Sequence, residues 1–131
     1  MHPSRVLETC LYVDDIDAAQ AFYGRMLGLD LDSRDGERHV FFRCGDGMFL
    51  LFNPEQTRQL GGIIPPHGAK GAGHVAFAVT AGELPAWRER LREHSVDIEA
   101  EVTWPAGGQS LYVRDPAGNS VELTMPAIWK L

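Results

Sequence analysis

The sequence predicts an α+β protein built from two tandem βαβββ modules, and three observations predict it. The same order of strand and helix signals occurs twice. A Gly/Pro-rich stretch separates the two runs. Corresponding strands carry the same alternation of bulky apolar with small or polar residues. With 131 residues, 44% of them hydrophobic and 23% charged, the chain has the size and composition of one soluble globular domain with a sizeable core.

The first module opens with "VLETCLYV" (6–13), a strand by its alternation and its β-branched and aromatic content. "DDIDAAQAFYGRML" follows as a helix. Asp14 or Asp15 caps it, Gly28 ends it, and Ile16, Phe22, Tyr23, Met26 and Leu27 form its apolar stripe. "LDLD", "RHVFFRC" and "MFLLFN" are three strands, the last two joined by the turn "GDG". Residues 61–73, "GGIIPPHGAKGAG", are too rich in breakers for helix or central strand.

The second module repeats the order. "HVAFAV" is the strand, starting 66 residues after Glu8, and "ELPAWRERLREH" is a helix with Leu84, Trp87 and Leu91 at helical spacing. "DIEAEVT", "QSLYVR" and "SVELTM" complete it, the last pair joined by "DPAGN". The expected organisation is a single domain over 1–131, with module one at about 5–60, a linker at about 61–72 and module two at about 73–127.

Net charge and motif content exclude several classes. A formal charge of −6 with scattered Arg and Lys does not suit a protein that binds nucleic-acid backbone. No apolar run approaches the roughly 20 residues that span a bilayer. "MHPSRVLETC" has no apolar signal core, and Cys10 and Cys44 are too few for a disulfide framework. A reducing cytoplasm is the expected compartment, with a small molecule as partner and neither nucleic acid nor membrane.

Alternate strand residues share a face. Val75, Phe77 and Val79 form one side of "HVAFAV", and His74, Ala76 and Ala78 the other. In "SVELTM", Val121, Leu123 and Met125 oppose Ser120, Glu122 and Thr124. In the first strand Leu7, Thr9, Leu11 and Val13 oppose Glu8, Cys10 and Tyr12. The bulky faces suit a helix cover. The other faces are either wetted by solvent or line a site, and Ala76 and Ala78, which leave room, favour a site. Two carboxylates and an imidazole converging there without a cation would repel and would be costly to desolvate. A divalent metal held by Glu8, His74 and Glu122 removes both problems.

The paired modules, the head "LETCLYVDDIDAAQAFYGRMLGL", the middle "GAGHVAF" and the tail "YVRDPAGNSVEL" together resemble the vicinal oxygen chelate superfamily, which includes glyoxalase I, fosfomycin-resistance proteins, extradiol dioxygenases and bleomycin-resistance proteins. The resemblance spans nearly the whole chain. It implies curved mixed sheets around an open barrel-like cavity, helices outside, and often a homodimer. In that family, ligands sit on the first and last strands of each module. Glu8 and His74 take the first-strand places, and Glu122 takes the last-strand place of module two. The fourth place falls around Leu50 to Phe52 and is apolar, where glyoxalase I uses a glutamate. Glu8 also stands where the dioxygenases and fosfomycin enzymes use histidine. Mixed carboxylate and imidazole ligation admits Zn²⁺, Ni²⁺, Mn²⁺, Fe²⁺ or Co²⁺.

The resemblance implies a metal-dependent glyoxalase-like lyase or isomerase whose substrate binds through two adjacent oxygens. Glu122 is the first candidate base and Glu8 the second. The alternatives are an extradiol-type dioxygenase and a metal-free, bleomycin-resistance-like binding protein. Tyr112 either hydrogen-bonds a substrate oxygen or packs in the core. Arg114 and Arg43, each before a turn, either meet an anionic substrate group or organise the turn. Trp104 either walls the pocket or plugs a strand end. His67 is expected at the surface, His39 has no identifiable partner, and Cys10 reads as a small buried residue.

Overall fold

The computed structural model describes residues 1–131. The chain falls into two compact units, Met1–Gly71 and Ala72–Leu131. Each holds one four-stranded mixed sheet, and each follows the βαβββ order.

In the first unit the strands are β1 (Glu8–Tyr12), β2 (Asp30–Asp35), β3 (His39–Cys44) and β4 (Gly47–Phe52), in sheet order β1-β4-β3-β2. β1 runs parallel to β4, with Glu8 beside Met48 and Cys10 beside Leu50, and the other pairs are antiparallel. The connection from β1 is α1 (Ile16–Gln20). Its cap is Asp15, whose carboxylate accepts from the Ala18 N–H at 2.9 Å. The single helix expected here does not continue as α-helix. Residues Ala21–Met26 form a π-helical turn, with the Leu27 N–H donating to the Phe22 carbonyl at 3.0 Å. The wider turn accompanies burial of Phe22, Tyr23, Met26 and Leu27 together, more than one narrow stripe would hold. These side chains and Ile16 are buried, as are Leu11, Val40, Phe42, Phe49 and Leu51 on one face of the sheet.

The opposite face of the first sheet is aromatic at one end. His39 stacks on Phe41 with centroids 4.0 Å apart and planes 9° from parallel, and its Nδ1 accepts from Arg38 at 2.8 Å. The expectation that His39 lacks a partner is therefore corrected. A short helix, α2 (Pro54–Thr57), not foreseen in the sequence, follows β4 and is capped by Asn53. His67 is half-buried, not at the surface. Tyr12 Oη lies 2.8 Å from its Nδ1, and its N–H donates to the Thr57 carbonyl at 3.0 Å.

In the second unit the strands are β5 (His74–Ala78), β6 (Ala100–Thr103), β7 (Gln109–Arg114) and β8 (Ser120–Thr124), ordered β5-β8-β7-β6. β5 and β8 are parallel, with His74 beside Ser120 and Ala76 beside Glu122. α3 (Leu84–Glu93) buries Leu84 and Leu91, and Leu111, Val113, Val121 and Leu123 are buried on one sheet face. The "DPAGN" turn is a buried polar knot. Asp115 Oδ1 accepts from the N–H groups of Ala117 and Asn119 at 3.0 and 2.8 Å, and Oδ2 accepts from Asn119 Nδ2 at 3.0 Å. Asn119 Oδ1 in turn accepts from the Gly73 N–H at 2.7 Å, while Ser120 N–H donates to the Gly73 carbonyl at 2.9 Å.

The first unit solves the same junction with less. Met48 N–H donates to the Leu7 carbonyl at 3.0 Å, and a Cβ on Gly47 would lie 2.9 Å from that carbonyl oxygen. Only glycine fits this approach of β1 to β4.

Two outcomes follow. Asn119→Ala removes the acceptor of the Gly73 N–H and a donor to a buried carboxylate. It should lower unfolding free energy by about 1–3 kcal/mol, read as a lower urea midpoint at constant slope. His39 is held below the ordinary imidazole value of 6.5, chiefly by burial and then by Arg38, with Asp35 opposing. The unfolded chain therefore binds the proton more readily. The stability that His39 contributes is present above pH 6.5 and is lost as pH falls through the folded-state value. The urea midpoint should fall further between about pH 7.5 and 5 in the wild type than in His39→Phe.

Candidate metal and substrate site

Parallel register places His74 and Glu122 on the same face of the second sheet, two residues apart along the paired strands. The antiparallel register of β7 and β8 puts Tyr112 directly beside Glu122. These three side chains come together. His74 Nε2 lies 3.3 Å from Glu122 Oε2, and the imidazole faces the Tyr112 ring at 6.3 Å between centroids, 21° from parallel.

The imidazole is oriented from behind. His74 Nδ1 lies 3.1 Å from the Ser120 carbonyl oxygen, which only accepts, so Nδ1 carries the hydrogen and donates it. Nε2, on the other side of the ring, faces the carboxylate oxygen. Two such groups repel unless a proton or a metal ion lies between them. Glu122 is 7% exposed, and its second oxygen, Oε1, is buried with no hydrogen-bond partner. An unpartnered buried carboxylate oxygen is expensive.

The donor set fits a divalent ion. Ligand atoms about 2.0–2.1 Å from a tetrahedral metal lie about 3.3 Å from one another, and His74 Nε2 and Glu122 Oε2 have that spacing. The hydrogen bond from Nδ1 to a backbone carbonyl is the outer contact that metal-bound histidines ordinarily make. His74 is 51% exposed, so a ligand reaches it from solvent. Within this module no third His, Cys, Asp or Glu joins the pair.

Tyr112 is the neighbour best placed to act on a bound molecule. Burial holds its hydroxyl above the ordinary value of 10.0, and the adjacent Glu122 pushes it the same way. It stays a protonated donor across the neutral range. Ala76 and Ala100, beside Glu122 and Tyr112 in the register, leave this part of the face open. At one end the face is closed by Ser110 and Thr124, whose hydroxyls lie 2.7 Å apart, and Trp104 Nε1 donates to Ser110 Oγ at 2.8 Å. Trp104 is thus fixed by its polar edge, and that link had no signal in the sequence beyond Ser110 and Thr124 sharing a face.

The two arginines named as substrate contacts are engaged elsewhere. Arg114 forms a fork with Glu99 at 2.7 and 3.1 Å and donates to the Gly118 carbonyl at 3.1 Å. Arg43 pairs with Asp32 at 2.6 Å. Arg114 thus ties β7 to its turn, and Arg43 ties β3 to β2. Glu8 is exposed on β1, at the place corresponding to His74, and Leu50 stands beside Cys10 as Glu122 stands beside Ala76. The first module thus offers one carboxylate and, in the last-strand place, an apolar side chain.

Comparison with known proteins agrees with this architecture. The family model for the glyoxalase/bleomycin resistance protein/dioxygenase superfamily matches residues 5–123. A solved lactoylglutathione lyase from Agrobacterium tumefaciens is 41% identical, with 98% of each chain covered and a TM-score of 0.94. A glyoxalase/bleomycin resistance protein/dioxygenase from Nocardioides is 22% identical, over 95% of this chain and 85% of that one, with a TM-score of 0.74. A glyoxalase/dioxygenase from Nostoc punctiforme is 24% identical, over 93% of this chain and 90% of that one, with a TM-score of 0.70. The last two share the fold. On the family match and the 41% identity, the chain belongs to the glyoxalase/bleomycin resistance protein/dioxygenase superfamily.

Proposed function

We propose that the protein is a metal-dependent glyoxalase-like enzyme, a lyase or isomerase whose small substrate is held through two adjacent oxygens. His74 and Glu122 are the ligands from the second module, and Glu8 enters the set by its equivalent place on β1. Zn, Ni, Mn, Fe or Co suits these donors. The observation that carries the reading is Glu122 itself: one oxygen 3.3 Å from His74 Nε2 and the other buried without a partner. The likeness to a lactoylglutathione lyase supports it and suggests a thioester-forming isomerisation as the first reaction to try. A cytoplasmic homodimer is the form in which we expect the protein to work.

A bound divalent ion supplies Lewis-acid stabilisation of negative charge on the substrate oxygens. The protein supplies the proton transfers. The Glu122 carboxylate, whose Oε1 makes no hydrogen bond, turns toward the substrate to accept the proton from the carbon next to the substrate carbonyl and returns it to the neighbouring carbon. Tyr112 donates a hydrogen bond to a substrate oxygen and remains protonated while doing so. His74 is oriented by the Ser120 carbonyl, with Nε2 turned toward Glu122. Glu8, exposed, is the alternative base.

Elemental analysis of purified protein should find about one divalent ion per chain, falling at least tenfold in His74→Ala with the circular dichroism spectrum intact. A folded wild type that takes up none of the five metals overturns the reading. Lactoylglutathione formation, followed by thioester absorbance, should drop roughly 10²–10⁴-fold in kcat for Glu122→Gln. Tyr112→Phe should lose about tenfold in kcat at unchanged metal content. Full turnover in Glu122→Gln would remove Glu122 as the base.

A further inference from the structure

The first module contains a hollow that the lyase reading does not use. It has a volume of about 410 Å³ and is bounded by Arg38 and by the chain from Gln56 to His67, a volume within the range of small-molecule sites. Its polar wall is Arg38, Gln56, Gln59 and His67, and no Asp or Glu lines it. That is a notable omission in a chain with 18 acidic residues and 12 Lys and Arg. Its apolar wall is Leu60, Ile63 and Ile64, which are 85%, 104% and 70% exposed.

Arg38 is held in position but not neutralised. Arg34, Arg43 and Arg58 in the same module each pair with a carboxylate. Arg38 instead gives one N–H to the uncharged acceptor nitrogen of His39 at 2.8 Å, and its guanidinium lies 5.9 Å from the centre of the Phe52 ring. The same ring supports His67, edge to face at 4.8 Å, and Tyr12 holds His67 from the other side. Phe52 is thus the common footing of both polar walls. A half-buried guanidinium that is held through one N–H and paired with no carboxylate is suited to a planar oxyanion. The exposed isoleucines and Leu60 offer surface for an apolar body on that anion.

We propose that this hollow is a binding site for a small monocarboxylate with an apolar, ring-sized body, its carboxylate on Arg38 and its body against Leu60, Ile63 and Ile64. The site is assembled wholly from the first module. It stands or falls separately from the role given to His74 and Glu122.

Benzoate and its uncharged analogue benzamide are the probes, titrated into the full-length protein with amide chemical shifts recorded for every residue. Benzoate should saturate, shifting residues 38 and 56–67, and should bind at least about tenfold more tightly than benzamide. Arg38→Gln should weaken benzoate by about tenfold or more, and Arg38→Lys, which keeps the charge and loses the fork, by less. Arg25→Gln, an exposed arginine of the same module, and Glu122→Gln should leave benzoate binding unchanged. The proposal is overturned if benzamide binds as tightly as benzoate, if Arg38→Gln binds benzoate undiminished, if the shifts fall elsewhere, or if Glu122→Gln abolishes them. The benzamide comparison uses only the wild type, so it decides the matter even if Arg38→Gln fails to fold.

Discussion

The parallel pairing of β5 with β8 is the constraint on which the candidate site depends. His74 meets Glu122 only because His74 lies beside Ser120 in the register and not one residue away. A slip of one residue would send one partner to the α3 side of the sheet. No short turn can enforce a parallel register, since the two strands are far apart in sequence. The chain enforces it with the knot at the β7–β8 turn. Asp115 shapes the turn, Asn119 projects from it, and its Oδ1 grips the Gly73 N–H immediately before β5. The Ser120 carbonyl, one residue further on, orients the ring of His74. One turn therefore fixes strand position, ring orientation and the nitrogen that faces Glu122.

The duplicated modules share this plan and have diverged in what hangs on it. Cys10 lies beside Leu50 where Ala76 lies beside Glu122, and Phe41 stands across from Leu50 where Tyr112 stands across from Glu122. Module one replaces a carboxylate and a phenol with apolar side chains on its corresponding face. Among the polar groups it carries there, Glu8 is exposed, while Tyr12, His39 and His67 are bonded to one another or to Arg38 and packed against Phe41 and Phe52. The half-buried tyrosine and histidines on that face are satisfied, whereas in module two one buried carboxylate oxygen is left open.

Much of this was legible in the residues, because a period of two assigns faces without knowledge of the tertiary fold. The β5 and β8 alternation put His74 and Glu122 among small neighbours, and the register then joined them. The same alternation offered Tyr112 as a pocket group. What the residues concealed are features decided by distance in space. Arg114 and Arg43 read in the chain as substrate contacts or turn organisers, yet Glu99, just before β6, and Asp32, on β2, pair with them. His67 sits in a run of Gly and Pro that reads as solvent-exposed loop, and only the Tyr12 hydroxyl and the Phe52 ring make it part of the packed face. The π-helical turn was hidden for another reason. Apolar spacing specifies which side chains face inward, and four bulky ones in six residues, Phe22, Tyr23, Met26 and Leu27, can be buried by widening the turn as readily as by a regular helix.

An open oxygen on Glu122 also bears on why the protein tolerates it. Sheets normally satisfy every buried polar atom, and one left unmade costs about 1–3 kcal/mol. The surrounding design has donors at hand: Ser110, Thr124 and Trp104 are linked into a hydroxyl–indole chain at the next rung of the same face. That chain runs on to the Gln109 carbonyl, and no bond from it reaches Glu122 Oε1. Leucine at the corresponding rung of module one shows that the sheet position itself accepts an apolar side chain. A carboxylate kept there, half-bound to an imidazole whose other nitrogen is anchored, is a structural liability with chemical capacity. Stability alone would favour leucine at both rungs, so the asymmetry between Leu50 and Glu122 is the clearest mark in the chain of a position shaped by chemistry and not by folding.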